Sequence, residues 1–199
     1  MTSLYKVTEI EGKGLGCIAI VEIKKDSVIL SESPQICEDT QEVEGSSKWI
    51  KSLLKSFYQM SKTDQLQYLK LHNKFNNSSV GKIIEDFKFK IGKIEQDPEK
   101  AKEILNICGI FFANSFLDGV GIKMSRFNHS CQPNVGKYAD SDGQIEVRAI
   151  ENIKAGKEIS LNYLDEFTGF RNRKYRQKIL FDRLYIHRAS QLKSERAFL

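Results

Sequence analysis

The apolar residues of this chain change period twice along its length, and that change bounds what the chain can fold into. Leu4 to Ile10 mixes β-branched with polar residues. Cys17-Ile18-Ala19-Ile20-Val21 is an apolar run the size of a buried strand, and Val28-Ile29-Leu30 is another, stopped near Pro34. Glu11-Gly12-Lys13-Gly14-Leu15-Gly16 reads as a turn, and so does Lys24-Lys25-Asp26. From Lys48 to Leu71 the spacing becomes three and four, at Trp49, Ile50, Leu53, Leu54, Phe57 and Met60, which predicts one amphipathic helix. Its Trp49/Leu53/Phe57 face suits a core stripe better than a partner surface. Val80, Ile83, Ile84, Phe87, Ile91 and Ile94 predict a second helix, with Asn76-Asn77-Ser78-Ser79 as a loop or N-cap. Asp97-Pro98-Glu99 starts a third, running through Ile104, Leu105, Ile107, Cys108 and Phe111. After about Leu117 the alternation returns at Ile145–Ile150 and Ile159–Tyr163, with a turn at Ala155-Gly156-Lys157; from Phe170 the chain reads as helix to about His187. No repeat is visible. The class is α+β, with strands at both ends of one core and a helical block between them.

With 199 residues the chain has room for one domain, or one with a small satellite, and buries a core without disulfides or metals. The net charge is +5, but residues 168–199 carry nine Lys and Arg against Asp182 and Glu195, so the basic character belongs to the tail. Such a tail could attract nucleic acid, an acidic partner or a membrane surface; a solvated helix face is the plainer reading. Nucleic acid ranks last, because no aromatics interleave on a recognisable platform. No apolar run approaches the ~18 residues of a membrane span, and the N-terminus shows no secretory h-region. Cys17, Cys37, Cys108 and Cys131 form no CxxC pair, which excludes a zinc finger on spacing and points to reduced thiols in nucleus or cytoplasm.

The densest polar signal is Arg126-Phe127-Asn128-His129-Ser130-Cys131-Gln132-Pro133-Asn134. Asn and His supply donors and acceptors in fixed directions, and Pro133 stops the run. Alone it reads as a turn with satisfied side chains. It is not alone. Asn128-His129-Ser130-Cys131-x-Pro133-Asn134 resembles the NHSCxPN signature of SET-domain protein methyltransferases. Gly12-Lys13-Gly14-Leu15-Gly16 resembles that family's GxGL turn, and Glu158-Ile159-Ser160-Leu161-Asn162-Tyr163-Leu164-Asp165 resembles its (G)EEx(T/S)xxYxD segment, in the same order. Asn114-Ser115-Phe116 and Gly119-Val120-Gly121-Ile122 narrow the likeness to the SET-and-MYND subfamily. The likeness covers about residues 5–36 and 104–190; the block between matches only in position.

The resemblance implies a β-rich SET-domain fold over residues 1–166, with a helical insertion at about 37–104 and a basic helical tail over 167–199. It implies protein-lysine N-methyltransferase activity with S-adenosyl-L-methionine as cofactor. The cofactor would be held by Gly12, Lys13, Gly14, Leu15, Asn114, Asn128, His129, Tyr163 and Ile186. In the family the NHSC run and the C-terminal strand pass one through a loop of the other, which would place Asn128, His129 and Tyr163 in one pocket. Tyr163 would be the catalytic residue, orienting a neutral lysine amine for in-line attack on a sulfonium methyl. The implied partner is a protein substrate, histone or not. A monomer is expected, with no membrane partner.

The sequence also departs from the family. The insertion holds only Cys37, so no MYND module is present. Arg188 and Ser190 stand where the first post-SET cysteines would be, and no cysteine follows Cys131. No zinc is expected, and Cys131 becomes a free thiol. Ile186 replaces the aromatic residue that would stack on the adenine. Either the basic helix supplies the missing wall of the lysine channel or the channel is loose. The second reading is therefore a catalytically weak SET-like binding module.

Overall fold

The computed structural model describes residues 3–37, 42–76, 81–116, 119–139, 144–164 and 166–184. Its contacts divide the chain into two compact units: Pro34–Ile122, and Met1–Ser33 together with Lys123–Leu199.

The second of these is the β-rich unit. β1 (Tyr5–Ile10) and β2 (Gly14–Ala19) form an antiparallel hairpin in which Ile10 faces Gly14. β2 therefore begins three residues before the expected Cys17. The bend closes on Glu11, Gly12 and Lys13 alone, because Gly12 and Gly14 sit at φ 73° and 72°, where residues with a Cβ are strained. β6 (Asn128–His129) and β9 (Glu158–Leu161) complete a four-stranded sheet in the order β1-β2-β9-β6. A second sheet joins β3 (Val28–Glu32), β8 (Ile145–Ala149) and β7 (Val135–Ala139), in that order. The alternation in β8 is the one its sequence predicts: Ile145, Val147 and Ala149 are buried, Glu146 and Arg148 half-buried. Two helices follow β9, α5 (Glu166–Gly169) and α6 (Arg173–Leu184), and α6 buries Leu180. α6 begins three residues after the expected Phe170; its expected last turn, to His187, lies outside the described residues.

The other unit is mostly helical. α1 (Ser47–Gln59) and α2 (Lys62–Tyr68) replace the single helix expected over 48–71. The break comes at Met60 and Ser61, both extended; the Ser61 hydroxyl accepts from the Asp64 amide at 3.1 Å and donates to its carboxylate at 2.7 Å. A serine that caps a new helix interrupts the ladder, and the apolar spacing itself stops at Met60, with Leu66 the next apolar residue. α3 (Gly81–Gly92) and α4 (Pro98–Asn114) follow, α4 capped by Asp97 as its sequence predicts. A two-residue antiparallel pair, β4 (Ile36–Cys37) with β5 (Gly119–Val120), ties together the ends of the unit. Trp49, Leu53 and Phe57 are fully buried, so the stripe is core, and Trp49 meets Phe111 and Phe112 at ring distances of 5.4 Å. No helix among the described residues is long and apolar enough to cross a membrane.

Gly109, inside α4, shows how tight this packing is. An Ala in a helix interior ordinarily gains about 1 kcal/mol over Gly. Here a Cβ would lie 2.0 Å from Asn73 Oδ1, which accepts from the Phe75 amide at 2.7 Å while Asn73 Nδ2 donates to Asn106 at 2.6 Å. The side chain in the way is anchored at both ends, so the sign reverses. Gly109→Ala is expected to destabilise the protein by about 1–3 kcal/mol, read as a lower midpoint in urea denaturation.

Candidate functional site

The site is built where three short elements of the β-rich unit meet. β9 lies antiparallel to β2, with Cys17 opposite Ile159, and parallel to β6, with Asn128 opposite Ser160 and His129 opposite Leu161. The chain reaches β6 through a 3₁₀ turn, Met124–Arg126, whose start is held by Glu32: its carboxylate accepts from the Lys123 and Met124 amides, both at 3.0 Å. Asn134 fastens β9 from the side, donating to the Glu158 carbonyl at 2.8 Å and accepting from the Ser160 amide at 2.9 Å.

This pairing gathers residues more than thirty positions apart. His129 is buried, and its ring centroid lies 5.4 Å from that of Tyr163. The Tyr163 amide donates to His129 Nδ1 at 3.0 Å. An accepting Nδ1 puts the proton of the neutral ring on Nε2, which lies 3.3 Å from Cys131 Sγ. Burial holds the His129 pKa down to about 4, and the cations of Lys13 and Arg176 press it the same way. The Tyr163 phenol donates to the Phe127 carbonyl. Burial pushes its pKa well above the usual tyrosine range, and negative charge at Cys17 and Glu158 would add to the shift. At neutral pH the phenol and the imidazole are therefore both uncharged.

On the other side of β9 the glycine turn is tied in through one carboxylate. Glu158 Oε2 accepts from Lys13 Nζ at 2.7 Å, and Oε1 accepts from Asn128 Nδ2 at 3.0 Å. Gly16 permits the approach: a Cβ there would lie 2.4 Å from Asn128 Nδ2 and 2.3 Å from Ile10 Cδ1. At Gly12 and Gly14 the opposite holds, with nothing within 4 Å of where a Cβ would stand. The turn thus offers open space and bare backbone at its tip.

Of the residues singled out in the sequence, Lys13, Asn128, His129 and Tyr163 are joined by these bonds, and Gly12 and Gly14 shape the turn that carries Lys13. Leu15 is exposed on β2, opposite Glu9. Asn114 ends α4 in the helical unit, where its amide nitrogen donates to the carbonyls of His72, at 2.8 Å, and Ile110, at 2.7 Å. Ile186 lies outside the described residues, as do Arg188 and Ser190. Cys131 is a half-buried free thiol. Among the described residues no group of three or more His, Cys, Asp or Glu side chains is placed to hold a metal ion. Sequence reasoning gave no role to Glu158, Asn134 or Gly16. All three stand inside the quoted motifs, but their partners are far away in sequence, and only a pairing register reveals them.

The SET domain family model matches residues 14–164. Histone-lysine N-methyltransferase set5 of Schizosaccharomyces pombe is 29% identical over 187 residues, covering 91% of this chain and 47% of that protein. Protein-lysine N-trimethyltransferase SMYD5 of Homo sapiens is 39% identical over 70 residues, 35% of this chain and 17% of that one. The chain thus spans about half the length of the first relative and less of the second. Among solved structures, Rubisco LSMT bound to sinefungin and monomethyllysine aligns with a TM-score of 0.55 at 16% identity, over 94% of this chain and 53% of that one. The SET domain of LSMT bound to lysine and AdoHcy aligns at 0.52 and 15%, over 83% and 50%. At such identity these likenesses speak for the fold: an α+β SET architecture.

The depressed His129 pKa sets a pH dependence. Between its ordinary value of 6.5 and about 4, the unfolded chain binds a proton that the folded ring refuses. Stability therefore falls as pH drops through that window, by up to about 3 kcal/mol. His129→Asn removes the titrating ring, so urea denaturation between pH 6.5 and 4 should show a shallower decline than in the wild type.

Proposed function

The chain belongs to the SET-domain family, and from that premise we propose that it is a protein-lysine N-methyltransferase using S-adenosyl-L-methionine. Residues 1–166 are the SET domain around its helical insertion, and residues 167–199 are a basic tail. The observation that carries the reading is the parallel pairing of β6 with β9, which joins His129 to the amide of Tyr163 and leaves the phenol of Tyr163 on the Phe127 carbonyl.

The Gly12–Leu15 turn, Asn128 and His129 would hold the cofactor. The turn has the form such binding needs. Its two glycines at positive φ, with no neighbours where side chains would be, let backbone approach a ligand closely. When bound, S-adenosylmethionine supplies a methyl group on a sulfonium, open to in-line attack by a neutral amine.

The protein's own work is to receive and orient that amine. A lysine arrives with a pKa of about 10.4 and must lose its proton, which a desolvating channel favours. Tyr163 is not the base at neutral pH, because its phenol is held protonated. With its proton given to the Phe127 carbonyl, the phenol oxygen turns lone pairs toward an amine N–H or a polarised methyl C–H. The bond from its amide to His129 keeps the end of the strand from swinging, so the oxygen is placed before substrate arrives. A neutral His129 adds no positive charge beside the donor.

Tyr163→Phe keeps the ring and removes this oxygen. It is expected to lower labelled methyl transfer to cell-extract proteins by about a hundredfold or more, while cofactor binding persists. Asn128→Ala should weaken cofactor binding in calorimetry; unchanged affinity would overturn the pocket assignment. A wild-type chain that binds the cofactor but labels no extract would favour the weak binding module instead.

A further inference from the structure

We propose that Glu158 is a positioning residue of this site, turning the Asn128 amide so that its oxygen faces the α-ammonium group of the bound cofactor. The inference rests on the reading above and adds to it a residue with no assigned role.

Glu158 is the first residue of β9, and its two carboxylate oxygens serve two different elements. Oε1 takes the amide nitrogen of Asn128 on β6; Oε2 takes the ammonium of Lys13 in the hairpin bend. An ionised carboxylate offers acceptors only, so Asn128 can turn nothing but Nδ2 toward it, and Oδ1 must point the other way. Lys13 occupies the second oxygen and restrains the carboxylate from rotating. The pair is largely shielded, its side chains 19% and 21% exposed, so water does not readily take the place of either partner. Asn128 also sits close over Gly16, its nitrogen 2.4 Å from where a Cβ would be, a place open to it only because that residue is glycine. The backbone of Glu158 is itself held by Asn134. Asn128 thus presents a fixed acceptor, and an acceptor is what an ammonium group requires.

Glu158→Gln keeps the shape and replaces one acceptor oxygen with a donor. That donor then faces either the ammonium of Lys13 or the amide nitrogen of Asn128. The relief open to Asn128 is to flip, which turns a donor toward the cofactor's ammonium. Two ligands separate this effect from general damage. S-adenosylhomocysteine carries the amino-acid end; 5′-methylthioadenosine keeps the nucleoside and thioether without it. In titration calorimetry of the full chain, Glu158→Gln should weaken S-adenosylhomocysteine by about tenfold or more and 5′-methylthioadenosine by less than about twofold. Equal weakening of both, or unchanged S-adenosylhomocysteine affinity in a variant that melts like the wild type, would overturn the proposal. If Glu158→Gln does not fold, Glu158→Ala removes the acceptor that orients Asn128 without driving a flip, and should show a smaller loss still confined to S-adenosylhomocysteine; equal losses for the two ligands there overturn it too. A wild-type chain that binds neither ligand sinks the methyltransferase reading itself. A wild type that binds both, with an indifferent variant, sinks only the positioning role.

Discussion

Four residues, Glu158–Leu161, carry a sheet on both edges at once. Strand β9 pairs antiparallel with β2 and parallel with β6, and the side chain of Asn134 bonds its backbone from a third direction. Parallel neighbours cannot be joined by a tight turn, so residues 130–157, between β6 and β9, must leave and return. They do so through β7 and β8, which belong to the other sheet. The register of β9 then decides everything around it. A slip of one residue would exchange the faces of Glu158 and Ile159, burying a carboxylate and parting it from Lys13 and Asn128. Ile159 and Leu161 are fully buried, and that burial opposes the slip.

The electrostatics follow from the same placement. In the half of the site near Tyr163 both rings are uncharged: burial keeps the phenol protonated and the imidazole unprotonated. The half near the glycine turn is ionic but internally balanced, since the charge of Lys13 meets that of Glu158. Uncharged rings suit an amine that must give up its proton. A balanced ionic half suits the charged end of an amino acid, because its polar groups are oriented in advance instead of being recruited from solvent.

How much of this was legible beforehand depended on the range of each interaction. Asp97-Pro98 announced the start of α4 because a cap acts within one turn, and Ile145–Ala149 announced β8 because alternation shows on one strand. The break at Ser61 was local too: the three-and-four spacing stops at Met60, Ser61-Lys62-Thr63-Asp64-Gln65 is polar, and Ser61 caps the helix that follows. The short strands β4, β5 and β6 were not legible: two residues carry no period, and they are strands only because a partner lies alongside. Strand β7 was missed although it flanks β8 along its whole length.

The same divide runs through the site. The identity of the groups was written in the chain: a run of Asn128, His129 and Cys131, a glycine turn and a tyrosine at the end of a strand, in an order that marks a family. Their states and partners were not. That His129 accepts from the Tyr163 amide, that Tyr163 donates to the Phe127 carbonyl and that Glu158 divides its oxygens between Lys13 and Asn128 are consequences of strands laid side by side. Residue type fixes what a side chain can donate or accept. Burial and strand register, which come into being only when distant segments meet, decide to which neighbour it does so and whether it carries a charge.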